Sequence, residues 1–144
     1  MKKVLVINGP NLNMLGIREK SIYGSDTLDS INAEIKAYAE TLYIKCDFFQ
    51  SNCEGEIISK IHTVLTDYDG CVINAGAYTH YSYAIRDAIA CVNKPFIEVH
   101  MSDIHSREEF RRTSVTAPAC RAMVSGLGFD SYIKGVEMLL NDKS

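Results

Sequence analysis

The sequence contains no apolar run longer than four or five residues, so no segment of it predicts a membrane span. Met1-Lys2-Lys3 leads directly into Val4–Ile7, an apolar stretch too short for a signal peptide, and it reads as a first strand. Disordered tails, low-complexity tracts and internal repeats are also missing. No stretch is strongly basic. Fifteen basic and 18 acidic residues leave a net charge of −3, and Arg111-Arg112 is the only adjacent arginine pair. That balance argues against a nucleic-acid-binding role. The five cysteines (Cys46, Cys53, Cys71, Cys91, Cys120) are odd in number and form no CxxC, so zinc and thioredoxin-like readings lack support. Three of them lie in or beside apolar segments and are expected as buried structural thiols. With no export signal, a reducing cytoplasm is the expected compartment. The 144 residues suffice for one domain with its own hydrophobic core, so a single catalytic domain over 1–144 is expected. They are too few for separate cofactor and substrate domains.

What is present alternates regularly. Lys3–Ile7 is a β-branched run closed by Asn8-Gly9-Pro10, a strand ending in a turn. Gly9–Ser25 has no periodicity and reads as a long loop, a feature often tied to function in small domains. Leu28, Ile31, Ile35, Ala39 and Leu42 mark one helical face, with Ser25, Asp26 or Thr27 as its cap. Strands follow at Ile44–Gln50, Gly70–Asn74, Phe96–His100 and Ala122–Ser125. Helices are expected at Gly55–Asp67 (Ile57, Ile58, Ile61, Val64 and Leu65 inward), Ser82–Val92 (Ala84, Ile85, Ala88, Ile89, Val92) and Phe129–Leu140. Gly76–His80 reads as a loop. Ser102–Pro118 reads as irregular, with one helical turn near Arg107–Phe110. Strand–helix alternation with continuously apolar strands predicts an α/β, flavodoxin-like three-layer sandwich with a five-stranded parallel sheet. Such folds place ligands outside the carboxyl ends of the strands.

Those ends carry polar residues. Asn8, Asn11, Asn13, Arg18 and Tyr23 follow the first strand. Asn74, Gly76, Thr79 and His80 follow the third. Glu98, His100, Ser102, Asp103, His105, Arg107, Arg111 and Arg112 lie at or beyond the fourth. His62 falls instead in a helix, as a surface or edge residue. Several familiar chemistries are excluded. A phosphoryl-accepting receiver needs acids where Asn8 and Asn74 stand. The Gly-Pro-Asn-Leu-Asn loop has no hydroxyl for a flavin phosphate, and its proline has no N–H. Gly126-Leu127-Gly128 lacks a third glycine and lies near the C-terminus, and neither a phosphate loop nor a GxSxG elbow occurs. No lysine lies at a ligand-facing strand end for a Schiff base. The remaining set of Asn, His, Ser, Arg and one Tyr suits a small hydroxylated carboxylate.

Glu98 and His100 are two apart in a strand and share a face. A carboxylate beside an imidazole fixes its tautomer and favours its charged form, which makes His100 a candidate proton donor. A free phenol has a pKa of about 10 and is a poor base at neutral pH. An arginine nearby favours the phenolate, so Arg18 in the same loop makes Tyr23 a candidate base.

The segments INGPNLNMLGIRE…YG, QSNCEGEII, INAGAYTHYSYAIRDAI and FIEVHMSDIHSREEFRRTS resemble the type II 3-dehydroquinate dehydratases, in the right order and over nearly the whole chain. The resemblance implies a flavodoxin-like fold and a homododecamer built from trimers. It also implies a cofactor-free, metal-free hydro-lyase converting 3-dehydroquinate to 3-dehydroshikimate in the shikimate or quinate pathways. Carried over residue by residue, Tyr23 is the base that takes a C2 proton, Arg18 activates it, and His100 protonates the departing C1 hydroxyl while Glu98 orients it. Asn11 holds a water that stabilises the enolate. Asn74, His80, Met101, Ser102 and Arg111 contact substrate, and Asp87 reaches a neighbouring subunit's site. The chain departs from the family pattern in three places. Met101-Ser102-Asp103 stands where Leu-Ser-Asn is usual, Cys53 stands where His is frequent, and Ala117–Met123 is atypical.

Taken alone, several of these residues have plainer roles. Tyr23 is a packed tyrosine, His80 a helix cap, Asp87 a partner for Arg86 or solvent, and His105 and Arg107 loop-shaping groups. Of Arg111 and Arg112, the spacing selects Arg111 as the ligand. The competing class is a non-catalytic module on the same fold that binds a small polyhydroxylated carboxylate. Such a module would keep Asn74, His80 and Arg111 but lose Tyr23 or His100, and both are present. A nucleotide-binding regulator is a weaker third reading.

Overall fold

The computed structural model describes residues 1–17 and 26–141. Five strands, β1 (Lys2–Asn8), β2 (Ile44–Gln50), β3 (Gly70–Asn74), β4 (Phe96–His100) and β5 (Ala122–Ser125), pair in parallel in the order β2-β1-β3-β4-β5. This is the flavodoxin-like five-stranded parallel sheet expected from the sequence, and its switch point lies between β1 and β3. Among the described residues, the α-helices are α1 (Leu28–Thr41), α2 (Glu54–His62), α3 (Val64–Asp67), α4 (Tyr83–Val92) and α5 (Asp130–Leu140).

Successive side chains of a strand point to opposite faces, and the core divides accordingly. Val4, Val6, Val72, Ile97 and Val99 pack with Ile31 and Ile35 of α1 and Tyr132, Val136 and Leu139 of α5. Leu5, Ile7, Cys71, Ile73 and Phe96 pack with Ile57 and Ile61 of α2 and Ile85, Ala88, Ile89 and Val92 of α4. Each fully buried aliphatic side chain stabilises the fold by about 1.5–3 kcal/mol, so this two-faced pattern sets the three layers.

Local signals fix the helix ends. The Thr27 hydroxyl accepts from the Ser30 N–H at 3.1 Å and caps α1. The Ser82 hydroxyl accepts from the Ile85 N–H at 3.0 Å and caps α4, which ends at Asn93 in the left-handed region (φ 54°). The sequence predicts one helix over Gly55–Asp67, but the structure has two. The Thr63 hydroxyl donates back to the Lys60 carbonyl at 2.7 Å, and the helix breaks there. The break turns Leu65 outward (55 % exposed), which corrects its expected inward position. Ala84 is likewise exposed on α4 rather than buried. Gly76–His80, expected as loop, is a 3-10 helix. The turn expected near Arg107–Phe110 resolves into two 3-10 turns, Ile104–Ser106 and Glu109–Arg111. Cys46 and Cys71 are buried and Cys120 is half-buried, while Cys53 and Cys91 are exposed. Burial pushes the Cys46 thiol up to about 11 and raises Cys71 and Cys120 as well, so all three stay protonated. Among the described residues, no helix is long and apolar enough to cross a membrane.

Candidate active site

Parallel register brings Asn8, Gln50 and Asn74 level at the carboxyl ends of β1, β2 and β3. The loops that leave β1 and β3 touch because two glycines allow it. A Cβ on Gly9 would lie 2.5 Å from the Ala75 carbonyl oxygen. Gly76, at φ +61°, would bring one to 3.1 Å from the Pro10 carbonyl oxygen. The Gly9 N–H donates to the Asn74 carbonyl at 2.8 Å and locks the contact.

A pocket opens above this junction. Its walls come from the loop after β1 (Pro10, Asn11, Leu12), the loop after β3 (Asn74, Gly76, His80) and the segment after β4 (His100, Met101, Ser102, Arg107, Arg111). Asn11 adopts the left-handed region (φ 68°) at the head of the Leu12–Met14 3-10 turn. The Asn52 side-chain carbonyl accepts the Asn11 N–H at 3.0 Å and a Gln50 amide hydrogen at 3.2 Å, while the Asn52 backbone carbonyl accepts the Tyr78 hydroxyl at 2.8 Å. Three loops are thus tied around Asn52, a role that its place in the sequence did not reveal.

Glu98 and His100 share one face of β4, as their spacing predicts. Glu98 is 1 % exposed and His100 6 %. His100 Nε2 donates to Glu98 Oε2 at 2.8 Å. The Ser114 hydroxyl donates to the same oxygen at 2.7 Å, and the Thr116 hydroxyl donates to Oε1. Burial alone would push the Glu98 carboxyl up. The hydrogen bond and charge of His100, with the Thr116 and Ser114 hydroxyls, outweigh it and hold the group below its ordinary value. Glu98 is therefore an ionised anchor beneath the pocket rather than a wall of it. With Nε2 engaged, Nδ1 is the ring nitrogen that His100 has left for the pocket it lines.

His80 is oriented differently. Its Nδ1 lies 2.8 Å from the Thr113 carbonyl, which can only accept, so Nδ1 carries the proton. Burial lowers the His80 pKa, reinforced by His100 and Arg111 and opposed by the Thr113 carbonyl and Glu98. The neutral ring then offers Nε2 as an acceptor. The helix cap is Ser82, so His80 is not needed for capping.

Arg111 lines the pocket, stacks over the Phe110 ring at 4.8 Å and pairs with Glu108 at 3.1 Å. Arg112 instead donates to the Arg107 carbonyl at 3.1 Å. Arg107, read from the sequence as loop-shaping, also lines the pocket and donates to the Ser102 hydroxyl at 3.0 Å. Asn74 lines the pocket, yet much of its side chain is committed below it. Nδ2 donates to the Tyr132 hydroxyl at 3.0 Å, and Oδ1 accepts the Gly76 N–H at 3.1 Å. Met101 is buried at the wall. Asp87 is exposed on α4 and does not line this pocket of its own chain. Arg18 and Tyr23 lie outside the described residues.

One of the three departures in sequence has a local explanation. The Asp103 carboxylate accepts from the His105 N–H and the Ser106 hydroxyl, both at 3.0 Å, and caps a 3-10 turn instead of entering the pocket. Cys53 is exposed at the start of α2. The neighbouring Ser51 hydroxyl accepts the Cys53 N–H at 2.9 Å and donates to Glu56 at 2.5 Å.

A switch-point pocket, two arginines in its wall and a histidine held by a buried carboxylate define an α/β protein equipped for proton transfer to an anionic, hydrogen-bonding ligand. The chain belongs to the class II dehydroquinase family. The profile described as dehydroquinase class II matches residues 2–140. A 3-dehydroquinate dehydratase of Caldicellulosiruptor bescii is 61 % identical over 134 residues, 92 % of each chain. One from Bacillus cereus is 54 % identical, covering 92 % of this chain and 90 % of that one. The crystal structure of a type II dehydroquinase from Butyrivibrio crossotus matches with a TM-score of 0.95 at 51 % identity, covering 96 % of this chain and 97 % of that one.

Proposed function

We propose that this chain is a 3-dehydroquinate dehydratase, a hydro-lyase that eliminates water from 3-dehydroquinate to give 3-dehydroshikimate through an enolate and without a cofactor. The observation that carries this reading is the pocket-lining His100, whose outer partner Glu98 is buried and ionised. An imidazole so held is equipped to give up a proton from its other nitrogen. The names of the relatives support the same substrate.

In this mechanism Tyr23, activated by Arg18, takes the C2 proton beside the ketone and leaves an enolate. Asn11 holds the water that stabilises the enolate oxygen. The enolate then collapses to the conjugated enone and the C1 hydroxyl departs, taking a proton from His100 to leave as water. The proton taken by Tyr23 is later released and His100 is reprotonated, which closes the cycle. Neutral donors aimed at the developing charge supply the stabilisation that a metal or cofactor would otherwise provide. Asn74, His80, Met101-Ser102 and Arg111 receive the hydroxyls and carboxylate of the substrate. The basic wall formed by Arg107 and Arg111 supports an anionic ligand. We assign the chain as one catalytic domain acting in the shikimate or quinate pathways of the cytoplasm. It works as a homododecamer of trimers in which Asp87 serves a neighbouring site.

The test is direct. Purified protein mixed with 3-dehydroquinate should develop the ultraviolet band of the conjugated enone, and Tyr23→Phe should abolish turnover while ligand binding persists. A folded wild-type protein that gives no band would refute the activity. Wild-type turnover by Tyr23→Phe would refute the base.

A further inference from the structure

We propose that the strap Thr113–Thr116 is the positioning element of this site: Ser114 and Thr116 act through Glu98 to hold His100, and Thr113 holds His80. The inference rests on the dehydratase reading only for its kinetic consequence.

Four consecutive residues divide the task. The Thr113 carbonyl accepts from His80 Nδ1 at 2.8 Å. The Ser114 hydroxyl donates to Glu98 Oε2 at 2.7 Å, beside the His100 Nε2 contact at 2.8 Å. The Val115 N–H donates to the Thr79 carbonyl at 2.9 Å, which pins the strap to the turn that carries His80. The Thr116 hydroxyl donates to the other oxygen, Glu98 Oε1. Ser114 is itself fixed, since its oxygen accepts the Ala117 N–H at 2.9 Å.

The two histidines are consequently set in opposite senses. An accepting carbonyl makes Nδ1 the protonated nitrogen of His80 and leaves Nε2 outward. An accepting carboxylate makes Nε2 the protonated nitrogen of His100 and leaves Nδ1 outward. One ring is thereby an acceptor and the other a donor when charged. The second arrangement lasts only while Glu98 is an anion. A carboxylate 1 % exposed has no solvent to stabilise it, so the strap hydroxyls stand in for water. The titratable groups that bear on Glu98 are His100, His80 and Cys120. Cys120 remains a neutral thiol, so the hydroxyls and His100 are what keep the charge in place.

The experiment compares Thr116→Val, which keeps the shape and removes the hydroxyl, with Thr116→Ser, which restores it. Ser114→Ala provides the same comparison at the other oxygen should Thr116→Val fail to fold. Two readouts are taken. Nitrogen-15 NMR of the histidine rings reports protonation and tautomer without any substrate. Turnover of 3-dehydroquinate across pH reports kcat and KM. Losing a hydrogen bond to a charged group should lower kcat about 10- to 100-fold with KM nearly unchanged, because the interaction is expressed in the transition state. Without that donor the Glu98 carboxyl takes up a proton more easily, so the low-pH limb of the kcat profile should move upward. Thr116→Ser should return both towards wild type. Wild-type kcat, pH profile and ring signals in Thr116→Val and Ser114→Ala would overturn the proposal. If the wild-type protein turns over no 3-dehydroquinate, the dehydratase reading fails, and the ring signals alone decide the strap's role.

Discussion

Tyr132, near the start of α5, reaches 124 residues back along the chain and donates its hydroxyl to Asn8 Oδ1 at 2.5 Å. The Tyr132 hydroxyl oxygen in turn accepts from Asn74 Nδ2 at 3.0 Å. A fully buried phenol thus ties together the ends of β1 and β3 directly under the pocket. Tyr132→Phe leaves two buried amides short of a partner and should cost about 1–3 kcal/mol. It should also weaken ligand binding, because Asn74 is freed to turn. Urea denaturation measures the first effect and calorimetric titration the second. A stability within about 0.5 kcal/mol of wild type would show that the bond carries no weight.

Glu98 should leave a mark on the pH dependence of stability. Its folded-state carboxyl is held below the ordinary value of 4.5. A group depressed on folding adds stability above its unfolded pKa and loses it as pH falls through the folded value. The gap in stability between wild type and Glu98→Gln should therefore be full above roughly pH 5 and narrow as the pH drops below about 4.5. Denaturation curves at stepped pH test this. A gap that stays constant down to about pH 3 would contradict it.

Gly9→Ala should be severe despite its small size. The new methyl group would sit 2.5 Å from a backbone oxygen of Ala75, which has no free rotation to move aside. Overpacking of this kind costs about 1–3 kcal/mol, and the β1 and β3 loops must separate to relieve it. Thermal unfolding should show a lowered Tm together with weakened substrate binding. Normal binding in a destabilised Gly9→Ala would mean that the two loops part without opening the pocket.

Asp103→Asn separates two accounts of an unusual acid. Its carboxylate is turned back onto the His105 N–H and Ser106 hydroxyl, so it should not repel an anionic substrate. The substitution should leave KM within about twofold and change stability by no more than about 1 kcal/mol, the range of a capping contact. A several-fold fall in KM would show instead that the acid had been opposing the ligand.

The sheet was legible because most strands are short apolar runs between turn residues, with β2 marked instead by Ile44, Cys46, Phe48 and Phe49, and all five were expected within a residue or so of where they lie. The helical break at Thr63 was not, since it depends on one hydroxyl choosing a backbone carbonyl over solvent. In the site, Glu98 and His100 follow from a two-residue spacing in a strand, which fixes direction regardless of tertiary detail. Ser114 and Thr116 were hidden because they sit in an irregular segment. Their partner lies 16 and 18 residues away, a distance at which no periodicity carries information. Arg107 reads as a loop-shaping group for the same reason: an irregular segment gives no register that would place its side chain beside Arg111 in the pocket wall.

The strand order has a consequence for how the chain is made. β1 is synthesised before any other strand, yet it ends up between β2 and β3. Both of its edges stay unpaired until residues 44–50 and 70–74 have emerged. During that interval a bare apolar strand is exposed to other nascent chains, the condition under which strands mispair. The Glu98–His100 pair waits longer still, because Glu98 gains its two hydroxyl donors only when Ser114 and Thr116 arrive. Slowed translation between β1 and β3 should therefore raise aggregation more than slowing after β5 has emerged, when every strand has its neighbour.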